Sequence, residues 1–187
     1  MISGYPKTVH LRTGTAVTIR PMVKEDVGKL HAFFARVPRE DRLFLREDVS
    51  RRDVIDAWAR ELDYEKVLPV VAEVGDNIVG DATLHRREGG WASHAGKVRI
   101  VIDKDYRGKG LGTLLLEELG TIAKQGDLEL LVAEVMATQK SALAAFKSMG
   151  FEKEAVLSNY VKDQAGAKHS LILMIKDLLT EPVPVVY

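Results

Sequence analysis

Three glycines and two cations follow one another in the segment RGKGLG, residues 107–112. A β-like run that ends at Ile102 precedes them, and a leucine-rich helical pattern begins at Leu111. The first N–H groups of a helix have no partner inside the helix and carry partial positive charge, so they bind anions that can come close. Glycines remove the side chains that would block this approach, while Arg107 and Lys109 add charge. The segment therefore predicts a phosphate or pyrophosphate site.

The spacing of these glycines differs from that of two familiar phosphate-binding loops. The chain has no GxxxxGK[ST] sequence, and residues 108–112 read GKGLG rather than GxGxxG. The spacing that is present is Arg-x-x-Gly-x-Gly, from Arg107 to Gly112. No acidic residue lies between Tyr106 and Leu116, so positive charge is concentrated at this place.

The composition is typical of a soluble globular protein. Of the 187 residues, 46% are hydrophobic and 29% charged, which favours one domain over residues 1–187 with a core at about 17–178 and short flexible ends. Lys plus Arg and Asp plus Glu both number 27, so net charge attracts neither nucleic acid nor an anionic membrane. The chain has no cysteine, and no run approaches the ~18 apolar residues of a spanning helix. We expect a cytoplasmic protein that binds neither membrane nor nucleic acid.

Histidines give no sign of a metal centre. His10, His31, His85, His94 and His169 are scattered along the chain, and no HExxH sequence occurs. We therefore expect no metal.

Hydrophobic periodicity predicts one α+β domain of about seven strands and about four helices. The predicted strands are 17–20, 67–74, 78–85, 98–103, 128–135, 155–162 and 169–175. The predicted helices are 27–37, 54–62, 111–122 and 142–149. Capping patterns at residues 50–53 and at Thr138 support two of the helix starts, and Gly150 is typical of a left-handed helix end. The order is β-αα-βββ-α-β-α-ββ.

Three segments resemble the Gcn5-related N-acetyltransferase family. The glycine segment is similar to the Q/R-x-x-G-x-G/A motif that binds coenzyme A in that family, residues 18–26 (TIRPMVKED) are similar to its first strand and turn, and residues 139–151 (QKSALAAFKSMGF) resemble its N-x-x-A-x-x-x-Y-x-x-x-G-F segment. The resemblance covers residues 17 to about 175 in the family's order. It implies a three-layer domain with a mixed central sheet.

The resemblance also implies a cofactor and a reaction. Acetyl-CoA would be the acyl donor, with its pantetheine arm against the end of the central strand and its pyrophosphate on the amides of the glycine segment. The cofactor-binding residues implied in this way are Ile100, Val101, Ile102, Arg107, Gly108, Lys109, Gly110, Leu111, Gly112, Thr113 and Gln139. The acetyl group would pass directly from the thioester to an amine, which must first lose a proton.

Two positions depart from the family pattern. Relatives that acetylate protein lysines often carry a glutamate base where this chain has Gly96-Lys97, and many relatives carry a tyrosine that can protonate the leaving thiolate where this chain has Phe146. Water or another hydroxyl, such as that of Tyr160, would then serve the leaving group.

A substitute for the missing base is Glu134, because an acid within the apolar run 128–135 is costly to bury and would have a raised pKa. The alternative is an ordinary hydrogen-bonded or edge-exposed strand residue. His85 and His94 are further candidates, as a relay of protons through water.

The acceptor is an amine, for which the two early helices, the loop 86–93 and the final hairpin would form the site. Residues 20–44 resemble the matching part of bacterial protein-lysine acetyltransferase domains, which makes a protein lysine a candidate acceptor. The alternative function is a non-catalytic acyl-CoA-binding sensor, which the two departures would explain. Edge strands near the C-terminus could pair between subunits, so a homodimer is an alternative to a monomer.

Overall fold

The computed structural model describes residues 4–42, 45, 47–87, 89–163 and 165–179. Within these residues, eight strands form one mixed sheet. The strands are β1 (Lys7–His10), β2 (Ala16–Pro21), β3 (Val67–Val74), β4 (Asn77–His85), β5 (Ala95–Ile102), β6 (Leu130–Met136), β7 (Glu152–Lys162) and β8 (Lys168–Asp177). Their order across the sheet is β1-β2-β3-β4-β5-β6-β8-β7.

The helices are α1 (Val27–Arg36), α2 (Arg39–Arg42), α3 (Arg52–Arg60), α4 (Leu111–Gln125) and α5 (Lys140–Ser148). Single 3₁₀ turns, Lys24–Asp26 and Lys104–Tyr106, precede α1 and the glycine segment. In the described part of the chain, no helix combines the length and the apolar character needed to cross a membrane.

The predicted α+β class and the mixed sheet are confirmed, with two additions that the sequence did not predict. One is β1, whose four residues alternate between half-buried and exposed and therefore carry little hydrophobic signal. It forms because its register with β2, from Lys7 opposite Ile19 to His10 opposite Ala16, completes an edge hairpin. The other is α2, a single helical turn.

Two helix starts differ from the predicted caps. Ser50 Oγ donates to Asp48 Oδ1, and α3 begins after Arg51 without a side-chain oxygen that accepts from its first N–H groups. The N-cap of α5 is Gln139 instead of Thr138. The expectation for Gly150 is met, since its φ is 83°.

The sheet separates two hydrophobic clusters. The larger one lies between the sheet and α4, whose Leu111, Leu115 and Leu119 are fully buried. The smaller one lies on the opposite face, where α1 and α3 pack against β3 and β4 through Phe33, Phe34 and other apolar side chains. At the C-terminal edge of the sheet, β7 is mostly exposed, and pairing of this edge between subunits stays a prediction.

A charged network fixes α1 to the sheet. Arg20 on β2 binds the carboxylates of Asp26 at 2.7 Å and Glu73 at 2.8 Å, and Lys29 also binds Glu73. Burial opposes ionisation of Asp26, but the Arg20 guanidinium and the Val23 N–H outweigh it and hold the pKa of this carboxyl below its usual value. The network therefore sets the position of α1 over β3 and β4.

The two parallel strands at the centre of the sheet, β5 and β6, separate halfway along the length of β5. The parallel pair β5 and β6 is in register only from Ala95 opposite Leu130 to Val98 opposite Ala133. Beyond that point β5 continues against β4 as far as Ile102, while β6 continues against β8 as far as Met136. The result is a V-shaped opening between β5 and β6, called the V below.

We predict that Gly96→Ala destabilises the closed end of the V. A Cβ at Gly96 would lie 2.7 Å from Leu84 Cδ1 and 2.8 Å from Leu128 Cδ1, both in the buried core. Such overpacking should lower the free energy of unfolding by about 1–2 kcal/mol, measured as a lower urea midpoint.

Gly120→Ala is the matched control for this change. Gly120 lies inside α4, and a Cβ there meets nothing within 4 Å. Because alanine is the better helix former, this variant should gain about 0.5–1 kcal/mol. Equal stability of the two variants would contradict the account of the closed end.

Candidate functional site

The glycine segment forms a loop that presents bare backbone N–H groups. Gly108 and Gly110 have φ of 70° and 91°, in the left-handed region that favours glycine. Gly110 is the N-cap of α4, and its carbonyl accepts the first helical bond, from Leu114 N–H at 3.1 Å. The N–H groups from Gly108 to Thr113 donate no hydrogen bond to any other described residue. The loop and the first turn of α4 thus form a concave array of donors.

The turn between β1 and β2 braces this loop, a contact that the sequence analysis missed. Arg12 N–H donates to the Lys109 carbonyl at 3.3 Å. The Arg12 side chain covers Gly110, since a Cβ on that glycine would lie 3.5 Å from Arg12 Nε. Arg12 therefore adds a cation at the loop. Only the pairing of β1 with β2 brings it there, and no local pattern around Arg12 could have indicated this.

The two predicted cations of the loop have different surroundings. Arg107 Nε donates to the Ile102 carbonyl at 3.1 Å, and its guanidinium forms an ion pair with Asp41 at 2.7 Å. The N–H of Arg107 is also engaged, with the Lys104 carbonyl. Lys109 Nζ lies 5.3 Å from the centre of the Tyr106 ring. Arg107 hence holds the shape of the loop, while Lys109 is half-buried beside the N–H groups that have no partner in the described part of the chain.

The V opens beside this loop and gathers the other predicted cofactor residues. Ile100 to Ile102 lie on the part of β5 that pairs with β4 only. Across the V, Gln139 follows the end of β6, and its side-chain oxygen accepts from Met136 N–H at 3.3 Å. The fold thus brings all the predicted cofactor residues to one end of the sheet.

Glu134 lies at the branch point of the V, directly after the last pair of β5 with β6, and forms an ion pair there. Its Oε1 is 2.5 Å from Lys97 Nζ, and both side chains are about one quarter exposed, at 23% and 22%. Glu134 is therefore partnered and hydrated, in contrast to the desolvated acid that the sequence suggested. Gly96, one of the two residues Gly96-Lys97 at which the resemblance implies a glutamate in relatives, faces the packed core and has no room for a larger side chain.

A cavity of about 460 Å³ lies on the face of the sheet that carries α1 and α3. The sheet supplies Pro69, Asp81, Thr83, His85, Arg99 and Val101, and the opposite walls include Met22, Leu30, Phe34, Leu45, Val49 and Trp58. Phe34 and Trp58 meet edge to face with centroids 5.7 Å apart. Of the predicted acceptor elements, the early helices line this cavity, whereas no described residue of the loop 86–93 or of the final hairpin does.

Asp81 is the acid inside this cavity, and the sequence analysis missed it. It lies in the middle of β4, directly opposite Val71 on β3 and Val101 on β5. Its carboxyl group makes no hydrogen bond or ion pair with the described residues, and burial raises its pKa to about 7. The signal was present in the sequence, because an acid within the apolar strand IVGDATLH is the same feature that drew attention to Glu134.

Other candidates for proton transfer are spread over the molecule. His85 lines the cavity, where its Nε2 lies 3.2 Å from Thr83 Oγ1, whereas His94 is not among the lining residues. Phe146 packs edge to face on Phe151. Tyr160 is 67% exposed on the edge strand β7, so its hydroxyl lies outside the V. The described residues include no group of three or more His, Asp or Glu that could hold a metal ion.

Comparison with known proteins finds a family model and a curated relative that are both acetyltransferases. A model of the acetyltransferase (GNAT) family matches residues 31–151. The [ribosomal protein bS18]-alanine N-acetyltransferase of Escherichia coli K12 is 32% identical over 76 residues, which are 41% of this chain and 51% of that protein. The chain thus spans about half the length of the curated relatives that it matches.

Solved structures agree on the fold. The GNAT domain of PAT from S. lividans superposes with a TM-score of 0.79 at 16% identity, covering 95% of this chain and 99% of that domain. The protein yncA of Salmonella typhimurium, solved with its cofactor acetyl-CoA, has a TM-score of 0.71 at 20% identity and covers 90% of this chain and 97% of its own.

We predict that Asp81→Asn stabilises the protein at high pH. The folded-state pKa of about 7 lies above the ordinary 3.8, so wild-type stability falls as pH rises from about 4 to 7. Asparagine removes this cost. Because the residue as a whole keeps some exposure to solvent at the cavity, we expect only part of the full cost, a gain of about 1–2 kcal/mol at pH 8 and a smaller gain at pH 5, measured by urea unfolding.

The control is Asp76→Asn, in the exposed turn between β3 and β4. It should leave the pH dependence of unfolding unchanged. A gain at Asp81→Asn that is the same at both pH values would show that the carboxyl group is not desolvated.

Proposed function

The chain belongs to the acetyltransferase (GNAT) family, and from this premise we propose that it is an acetyl-CoA-dependent N-acetyltransferase. The acetyl group passes directly from the thioester to an amine. The observation that carries the proposal is the array of N–H groups from Gly108 to Thr113, which have no partner among the described residues and lie at the start of α4 beside the open edge of β5.

The donor array suits the pyrophosphate of acetyl-CoA. Consecutive amides at a helix start bind phosphate oxygens through hydrogen bonds and the helix dipole. Arg12 and Lys109 supply charge, while Arg107 is held by Asp41 and contributes through the shape of the loop. Acetyl-CoA binding by the yncA protein, which has the same fold, supports this assignment.

The V suits the pantetheine arm. This arm contains amide groups that can pair with a strand, and within the described part of the chain β5 has no partner strand on its V side from Arg99 to Ile102. Backbone N–H groups along this edge would stabilise the oxyanion that forms when the amine attacks the thioester. Burial of an unpaired strand edge is costly, so a ligand with amides is a fitting occupant.

The attacking amine must be neutral. For a lysine-like amine of pKa about 10.4, deprotonation at pH 7 costs ~4.6 kcal/mol, so a proton acceptor accelerates the reaction. Glu134 is one such acceptor, because it lies at the branch point of the V, where β5 and β6 separate. Its ion pair with Lys97 must then rearrange before it takes the proton.

The acceptor is a primary amine. A protein lysine is the candidate that the sequence suggested, and the name of the Escherichia coli relative adds the amine of an alanine. Both amines belong in an assay that follows release of coenzyme A with a thiol reagent.

A second function is a sensor that binds acetyl-CoA without turnover. The observation that favours it is Phe146, which packs on Phe151 and offers no hydroxyl to the leaving thiolate. The thiolate of coenzyme A, with a thiol pKa near ~8.5, leaves without such an acid, so the transferase remains the better proposal.

We predict that Gly110→Ala weakens binding of acetyl-CoA about tenfold or more. At φ of 91° any side chain strains the N-cap, and the new Cβ would occupy space at the donor array beside Arg12. Isothermal titration calorimetry with acetyl-CoA and with coenzyme A measures the change.

Gly75→Ala is the matched control. This residue also has a positive φ, of 58°, but lies in the turn between β3 and β4 with nothing within 4 Å of its Cβ. It should bind acetyl-CoA like the wild type. No binding heat with the wild type would contradict the proposed function, and binding without thiol release on any amine would favour the sensor.

A further inference from the structure

We propose that the acceptor is a small primary amine with an apolar body, and that it binds in the cavity beneath α1 and α3 with its amino group at Asp81, which takes the proton. This inference rests on the proposed transferase function and specifies the substrate class and the proton acceptor.

The walls of the cavity favour an apolar body. Met22, Leu30, Phe34, Val49 and Trp58 face the sheet across the cavity. Its volume of about 460 Å³ is in the range of small-molecule sites. A ring or a branched alkyl group would cover these walls, whereas the narrow four-carbon arm of a lysine would leave much of them in water. The cavity therefore fits a compact hydrophobic amine better than a lysine side chain.

The rim of the cavity favours a cation. Glu47, Glu61 and Asp63 are exposed there, against the single exposed lysine at the rim, Lys66. Glu47 also accepts a hydrogen bond from Trp58 Nε1 at 2.6 Å, which fixes a carboxylate beside the aromatic wall. An incoming ammonium group meets mostly negative charge before it reaches the interior.

Asp81 lies where the amine must arrive. Its neighbour Val101 is on β5, one strand spacing of about 4.8 Å away. Val101 and Arg99 line the cavity and also belong to the part of β5 that borders the V. The cavity and the V are thus separated by the width of one strand, so an amine at Asp81 would lie one strand away from the edge of β5 that the pantetheine arm would follow.

The chemical step balances without any further reactant. The ammonium group transfers one proton to the Asp81 carboxylate, and the nitrogen lone pair forms a bond to the thioester carbon. The C–S bond then breaks, the electron pair leaves with sulfur, and the second proton passes from nitrogen to that sulfur. The products are the acetylated amine and coenzyme A, and Asp81 releases its proton to solvent.

The surroundings of Asp81 leave it suited to this role. The charged or titratable side chains that line the cavity with it are Glu47, Glu61, Asp63, Lys66, His85 and Arg99. Four of these, Glu47, Glu61, Asp63 and Lys66, are exposed at the rim, and burial of Asp81 itself raises its pKa to about 7. A carboxylate of this pKa is ionised about half the time at pH 7 and is a far stronger base than an exposed one.

The first test is a comparison of amines with the full chain and acetyl-CoA. We expect kcat/KM for 2-phenylethylamine and hexylamine to exceed that for Nα-acetyl-lysine amide, a lysine peptide and a peptide with N-terminal alanine by about tenfold or more. Thiol release measures turnover. Preference for either peptide would overturn the substrate class. Absence of acetyl-CoA binding in calorimetry would instead remove the proposed function and this inference with it.

The second test separates the two acids with 2-phenylethylamine. Asp81→Asn should lower kcat about 100-fold or more, leave the affinity for acetyl-CoA unchanged as a check of the fold, and abolish the rise of kcat/KM with pH that we expect of the wild type near pH 7. Asp76→Asn should keep wild-type kinetics. Full activity in Asp81→Asn, or loss of activity in Glu134→Gln alone, would overturn the assignment of Asp81.

Discussion

Divergence of two parallel strands is the constraint on which the site depends. β5 and β6 pair over four residues each and then separate, which leaves backbone groups of β5 without a partner among the described strands. Such groups are costly to bury unless something pairs with them. The packed core at Gly96 closes one end of the V, and the turn after β5, where Asp103 accepts from Arg36 at 2.9 Å, fixes the other. The opening is therefore built into the fold and shaped for a ligand that carries its own amides.

Glu134 and Asp81 lie on the same face of the sheet, but among the described residues only the charge of Glu134 is balanced by a neighbouring side chain. Glu134 meets Lys97 across the branch of the V, so its charge is balanced within the protein. Asp81 lies between Val71 and Val101, and its charge is balanced by nothing among the described residues. A partnered carboxylate stabilises the branch point. For a carboxylate without a partner, burial raises the pKa, and the site can accept a cation from outside the protein.

Patterns in the sequence predicted the elements that are determined by residues close together in the chain. The glycine loop, α4 and the hairpin of β3 and β4 follow from residue spacing and turn residues, so they could be read directly. Arg12, Asp81 and the Lys97–Glu134 pair could not, since each owes its role to residues far away in the chain. Glu134 and Asp81 carry the same signal, an acid within an apolar strand. Only the register of the sheet shows which of the two has a cation opposite.

Burial of the Asp81 carboxylate in the cavity destabilises the fold, and the charged network of Arg20 and Lys29 stabilises the same part of the molecule. A desolvated acid in the middle of a strand weakens the fold at neutral pH, and the ion pairs of Arg20 and Lys29 on β2 and α1 hold the same layer in place. When an ammonium group enters the cavity, it becomes the partner of the Asp81 carboxylate. Their attraction supplies binding energy at the place where proton transfer begins. After the proton has moved, both partners are neutral, and the attraction that held the amine is lost. An acetylated product carries no charge, so it leaves a site that was complementary to the substrate alone.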